Sequence, residues 1–307
     1  MRSYNEMGVE SKMSETKERK QNKGEGPNVS RRKFLERTAT ATLITTAAAS
    51  CTTAQNNKPT APGNKQAGAT KPADLKGQMV EYKSGDLMIP AYLSRNKSGP
   101  AHGAVLVIHE VFGLNDHIKS IADRIASEGY LALAPNLFVR APEPPPKDAS
   151  DMAALRKAVS SIPTEAAIKD MQAGLDFIKT LNSVMPRMAS IGFCMGGGYS
   201  YQLATHTKDL AGAVIFYGRT PPELAPQVSC PLLANFGELD QSIPPEKVKE
   251  FADALKKAGK QADIKVYPGA KHGFFNDTRP EAYNAEAAAD AWQRTLRFFK
   301  ERMGKQG

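Results

Sequence analysis

The chain has 307 residues, 41% of them hydrophobic and 24% charged, which is enough apolar length to bury a large core without covalent staples. Three cysteines exclude a disulfide framework. The net charge of +9 is dispersed, with ten basic and six acidic residues in 1–51 and no Lys/Arg block beyond, so no nucleic-acid partner is expected.

Residues 1–29 are polar and rich in Lys, Glu, Asn and Gly, the composition of a disordered extension. In residues 30–54, Ser30-Arg31-Arg32-Lys33-Phe34-Leu35 resembles the twin-arginine export signature. The run Ala39–Ala49, with Leu43 and Ile44, falls short of the roughly 20 apolar residues that span a bilayer and fits the apolar stretch of a signal peptide. These residues imply passage through the twin-arginine translocation machinery into the periplasm. Ala47-Ala48-Ala49 and Thr52-Thr53-Ala54 both offer small residues for cleavage. Ala48-Ala49-Ser50-Cys51 resembles a lipoprotein box, in which Cys51 would carry a lipid anchor outside the inner membrane, but Ala48 stands where that pattern prefers Leu. Residues 55–74 have a linker composition, and a single folded domain is expected over 75–307.

Within that domain, strand and helix patterns alternate. Met79–Tyr82 and Met88–Tyr92 flank Ser84-Gly85-Asp86 as a hairpin. Ala104–Ile108 is a continuous apolar run, as in a strand buried on both faces, and Leu131–Ala134, Ser190–Phe193, Ala213–Tyr217, Leu232–Phe236 and Ile264–Tyr267 are similar. Helical spacing marks Ile118–Ser127, Thr164–Thr180, Pro245–Ala258 before Gly259, and Glu281–Lys300. Such alternation predicts a mostly parallel sheet covered by helices on both faces, with its chemistry at the carboxyl ends of the strands.

Gly192-Phe193-Cys194-Met195-Gly196 follows an apolar strand and precedes a helical stretch. It matches the strand–turn–helix elbow that presents a nucleophile, with Cys in the place of Ser. At a helix N-terminus Cys194 would be a candidate thiolate, and the Met195 N–H a candidate oxyanion donor. The order nucleophile, acid, His leads to Asp240, just past the strand Leu232–Phe236, with Glu238 as its rival, and then to His272 after Ile264–Tyr267. His102, His117 and His206 read as surface residues, His109 as a candidate lining residue, and Cys230 as a buried thiol at a strand start.

Taken together, Gly192-Phe193-Cys194-Met195-Gly196-Gly197, His109-Glu110-Val111-Phe112-Gly113-Leu114-Asn115 and Lys271-His272-Gly273-Phe274 resemble the dienelactone hydrolase (carboxymethylenebutenolidase) family over about Gly77 to Lys300. The resemblance implies an α/β-hydrolase fold and cleavage of small esters or lactones through a Cys194–His272–Asp240 triad and an acyl-enzyme. By resemblance Glu110 helps activate the thiol, and the Val111 N–H is the second oxyanion donor. Metal and organic cofactors play no part in that chemistry. Family members that take dienelactone hold its carboxylate with arginines. One position corresponds to Arg140; the other follows the catalytic His, where this chain reads Gly273-Phe274-Phe275-Asn276 and has no Arg until Arg279. The segment Pro142–Pro146 is expected near the site mouth. An exported binding protein on the same fold, or a hydrolase for another acyl substrate, remains an alternative, since fold alone does not set function.

Overall fold

The computed structural model of the protein describes residues 75–96, 100–146, 150–181 and 187–304. The expected extension 1–29, the twin-arginine segment 30–54 with Cys51, and the linker 55–74 lie outside the described residues. Among the described residues there are eight strands: β1 (Leu75–Ser84), β2 (Leu87–Asn96), β3 (Ala104–Ile108), β4 (Leu131–Pro135), β5 (Met188–Phe193), β6 (Leu210–Phe216), β7 (Leu232–Gly237) and β8 (Ala262–Tyr267). The α-helices are α1 (Asp116–Ser127), α2 (Met152–Ser160), α3 (Thr164–Lys179), α4 (Met195–His206), α5 (Pro245–Lys257) and α6 (Ala285–Met303). The strands form one sheet in the order β1-β2-β4-β3-β5-β6-β7-β8. β1 pairs antiparallel with β2, as does β2 with β4, and every other neighbouring pair is parallel.

Strand alternation divides the apolar side chains between two cores. On β3, Leu106 and Ile108 enter one core and Val105 and Val107 the other, which is why this strand reads as an unbroken hydrophobic run. Helices α2 to α5 cover the first core, with Ile168, Met171 and Leu175 of α3 and Phe251 of α5 buried there. Helices α1 and α6 cover the second, with Ile118, Ile121, Ile125, Trp292 and Phe299. Each fully buried aliphatic side chain of this kind contributes roughly 1.5–3 kcal/mol. The Asn115 side chain accepts from Ile118 N at 3.1 Å and so starts α1. Pro245 opens α5, where a missing N–H costs nothing.

Three expectations need correction. The last helix begins at Ala285 rather than Glu281, because Asn284 caps it and the preceding residues are folded into turns, with Asn276 N donating to Gly273 O and Arg279 N to Asn276 O. Helix α2 was not foreseen; it is one amphipathic piece of nine residues, capped by Asp151. His117 is buried rather than on the surface, with Nδ1 3.2 Å from Asp277 Oδ1.

Candidate active site

The parallel strands deliver their polar residues to a single sheet edge. Cys194 sits between β5 and α4 with φ 54°, ψ −116°, a conformation that costs a non-glycine residue about 1–3 kcal/mol. Its N–H donates to Phe216 O at 3.0 Å, which helps hold the turn. The flanking glycines are required by close approach: a Cβ on Gly192 would overlap the Gly196 carbonyl, and one on Gly196 would overlap the Ile108 carbonyl. Met195 heads α4, where the first amides have no intrahelical partner.

His272 and Asp240 arrive from the ends of β8 and β7. His272 Nδ1 lies 2.7 Å from Asp240 Oδ2, and Asp240 Oδ1 accepts from the amides of Ser242 at 2.8 Å and Ile243 at 3.1 Å. Asp240 is buried, whereas its rival Glu238 is exposed and accepts from Gly269 N at 2.9 Å. Burial opposes a charge on His272, but the hydrogen bond to Asp240 and the neighbouring Cys194 sulfur, with their charges, overcome it and raise the imidazole to about 10. The structure therefore brings Cys194, His272 and Asp240 into one row, with the His272–Asp240 hydrogen bond formed and Cys194 lining the same cavity as the imidazole.

Glu110, just beyond β3, is buried beside this row. Its Oε2 accepts from Asn276 Nδ2 at 2.7 Å and its Oε1 from the Tyr217 hydroxyl at 3.2 Å. Asn276 Oδ1 in turn accepts from Thr278 N and Oγ1, at 3.0 and 2.7 Å, which turns the amide nitrogen toward Glu110. Tyr217, with φ 38°, stands just past the end of β6, and its ring centroid is 5.1 Å from that of His272. Tyr217 was not singled out in the sequence, although its place directly after a buried strand is the same one that marks Cys194.

Cys194, Met195, His272, Tyr217, Glu110 and Val111 line one cavity of about 530 Å³, within the range of small-molecule sites. Phe112, Met152, Val159 and Ile243 supply its apolar wall, and Arg156, Arg219 and Arg279 also border it. A groove of about 640 Å³ between Tyr130 and α6 is larger, but its lining (His102, Glu128, Arg297 and Lys300 among others) contains no thiol.

A model of the "Dienelactone hydrolase family" matches residues 89–303. The chain belongs to the dienelactone hydrolase family. A protein of Escherichia coli O157:H7 assigned as a carboxymethylenebutenolidase is 37% identical over 235 residues, covering 72% of this chain and 85% of that protein. A similarly assigned protein of Saccharolobus solfataricus is 34% identical over 256 residues, covering 72% of this chain and 97% of its own. Among solved structures, a protein from Klebsiella pneumoniae assigned as a dienelactone hydrolase superposes with a TM-score of 0.70 at 31% identity, covering 74% of this chain and 99% of that one. A dienelactone hydrolase-like promiscuous phosphotriesterase from metagenomic libraries gives 0.67 at 25% identity, covering 75% and 100%. The fold is that of the α/β-hydrolases, and family membership places the chain among the ester- and lactone-cleaving hydrolases.

Against the family pattern, Arg140 is in an unexpected place. Its Nε and Nη2 donate to Asp170 Oδ2 and Oδ1 at 2.6 and 2.8 Å, and it does not line the cavity. The expectation that Arg140 binds substrate is therefore corrected: its fork is already filled by a fully buried carboxylate. His109 does not line the cavity either, being wholly buried behind Glu110. His102 and His206 are exposed and Cys230 is buried, as read from the sequence. Pro145 packs against the Glu110–Gly113 turn, its Cγ 3.8 Å from the point a Gly113 Cβ would occupy.

Proposed function

We propose that this dienelactone hydrolase family member cleaves small carboxylic esters or lactones through an acyl-enzyme on Cys194. The reading is carried by the Asp240–His272 hydrogen bond, with His272 and Cys194 lining one cavity of about 530 Å³. Cys194 cedes its proton to His272 before attack, and the resulting thiolate adds to the carbonyl carbon while Asp240 on Nδ1 supports the imidazolium. The oxyanion is received by the amides of Met195 and Val111, each contributing about 3 kcal/mol to the barrier. The intermediate collapses, the carbon–oxygen bond breaks, and His272 returns its proton to the alkoxide. His272 then takes a proton from water, whose oxygen attacks the thioester, releasing the acid and the Cys194 sulfur. Glu110, held by Asn276 and Tyr217, sets the negative potential beside the sulfur. The substrate carries an apolar body matched to Phe112, Met152, Val159 and Ile243.

The test is hydrolysis of 4-nitrophenyl esters and a small lactone by the wild type and by Cys194→Ala. The variant is expected to lose at least 10³-fold in kcat with unchanged melting temperature, and an electrophile such as iodoacetamide to modify Cys194 faster than Cys230. Wild-type rates in Cys194→Ala would refute the assignment. We propose in addition that Arg31-Arg32 directs export through the twin-arginine machinery into the periplasm, with Cys51 as a lipid anchor. Mass spectrometry of the mature N-terminus decides this: an unmodified residue beyond Cys51 rules out the anchor.

A further inference from the structure

His109 follows β3 and is completely buried. Its Nε2 is 3.0 Å from Leu137 N, and its Nδ1 is 2.7 Å from Glu110 O. The Leu137 amide can only donate, so Nε2 carries a lone pair and, in a neutral ring, Nδ1 carries the proton and donates to Glu110 O. Burial keeps the ring neutral by pushing it down to about 4, although the Glu110 carbonyl favours its protonation. Phe138 stacks on the imidazole with centroids 5.2 Å apart and planes 20° from parallel, which fixes its plane.

The Glu110 carbonyl also accepts from Gly113 N at 3.1 Å, closing a turn that needs Gly113 at φ +74°. Both lone pairs of this oxygen are thus filled. The Glu110 C=O and the Val111 N–H belong to one rigid trans peptide and point in opposite directions. Holding the oxygen on the buried side turns the N–H to the other side, where Val111 lines the cavity. Among the described residues no group accepts from the Val111 N–H. Asn276 and Tyr217 hold the Glu110 carboxylate and so anchor the same residue from its side chain.

We propose that His109 is a positioning residue that fixes the Glu110–Val111 peptide plane and thereby aims the Val111 N–H at the substrate oxyanion. The inference rests on the acyl-transfer reading given above. It separates two jobs for the imidazole: Nδ1–H orients the oxyanion donor, and Nε2 anchors the turn at Leu137.

The experiment compares His109→Asn, His109→Gln and His109→Leu with the wild type, on a 4-nitrophenyl ester and its thionoester. An asparagine amide nitrogen can take the place of Nδ1 and donate to Glu110 O. A glutamine amide reaches instead toward Leu137 N, and leucine does neither. His109→Leu is expected to lower kcat by about 100-fold on the oxo-ester, the effect of losing one oxyanion donor, with KM within twofold. His109→Asn is expected to recover about tenfold of that loss and His109→Gln less. The oxo-to-thiono rate ratio, which reports on the oxyanion donors and not on general packing, should fall in parallel with kcat. Should His109→Leu fail to fold, the Asn and Gln variants decide alone. Equal kcat and equal oxo-to-thiono ratios in Asn and Gln, or a folded Leu variant within twofold of wild type in both, would overturn the inference. Mass spectrometry of acylated wild-type Cys194 isolates the underlying reading: with no acyl-enzyme there, that reading falls and takes the inference with it, whereas acylated Cys194 with indifferent His109 variants sinks the inference alone.

Discussion

Both carboxylate oxygens of Asp240 are engaged, one by the amides of Ser242 and Ile243 and the other by His272. Asp240→Asn would keep the shape but present an amide N–H or a neutral oxygen to Nδ1, leaving the imidazole free to adopt the wrong tautomer. A fall in kcat of about 10⁴-fold is expected. The hydrogen bond and charge that help raise His272 would also be lost, so its NMR titration should move to lower pH. Unchanged kcat and an unmoved His272 titration would remove Asp240 from the reaction. His109 makes a different prediction, about stability. Its folded value near 4 lies below the ordinary value of 6.5, so between those values the unfolded chain binds more protons than the native one. Stability is then undiminished above pH 6.5 and falls as pH drops from 6.5 to 4, by about 3 kcal/mol from this residue. Chemical denaturation across that window should show a shallower pH dependence in His109→Asn; an equal slope would mean the imidazole is not held neutral in the fold. At this scale the sequence picked out Cys194, Asp240 and His272, where a residue type and a strand end coincided, and the structure brings these three together. The sequence was silent on Asn276 and Tyr217, because their hydrogen bonds to Glu110 join residues 166 and 107 positions apart.

The 3₁₀ turn Leu137–Arg140 illustrates the limit at the scale of elements. The resemblance put an arginine of the right type at this turn, but its direction is set by α3, which arrives later in the chain and presents a buried Asp170. A buried carboxylate needs a partner, and the bidentate guanidinium supplies it while pinning the turn to α3. Arg140→Ala is therefore expected to destabilise the fold by about 3 kcal/mol, by leaving Asp170 uncompensated, with KM for a neutral ester unchanged. A variant of undiminished melting temperature but raised KM would restore Arg140 to substrate binding. The inner parallel strands were legible to within three residues because a strand buried on both faces leaves a continuous apolar run, as β3 does, whereas β1 and β2 each run ten residues where four and five were read. Helix α2 escaped because it buries few side chains, Leu155 and Ala158 among them, and follows a proline-rich stretch whose composition reads as loop. The start of α6 was misplaced because Glu281 suits a first helical turn as well as Glu286 does, and the choice is made by the Asn284 cap.

Across the whole molecule, the ends of β3, β5, β6, β7 and β8 assemble Glu110, Cys194, Tyr217, Asp240 and His272 beneath a rim that carries Arg156, Arg219 and Arg279. Arg279 is engaged by Glu281 at 2.7 Å, whereas among the described residues Arg156 and Arg219 form no ion pair. The rim thus presents two uncompensated positive charges at the mouth of a cavity in a chain of net charge +9. Such a mouth raises the encounter rate of an anionic substrate, by about 10-fold or more at low salt, and does nothing for a neutral one. Raising ionic strength from about 0.01 to 0.15 M shortens the screening length from about 30 to 8 Å. The expected result is a fall in kcat/KM for an ester bearing a carboxylate, and a flat response for its methyl ester. Replacing both arginines by neutral residues (Arg156→Gln with Arg219→Gln) should remove most of the salt dependence while leaving the rate on the neutral ester within about twofold, since neither side chain bonds to Cys194, His272 or Asp240. Equal salt dependence for the charged and neutral esters would show that the rim does not select substrate by charge, and that discrimination comes from the apolar wall of Phe112, Met152, Val159 and Ile243 instead.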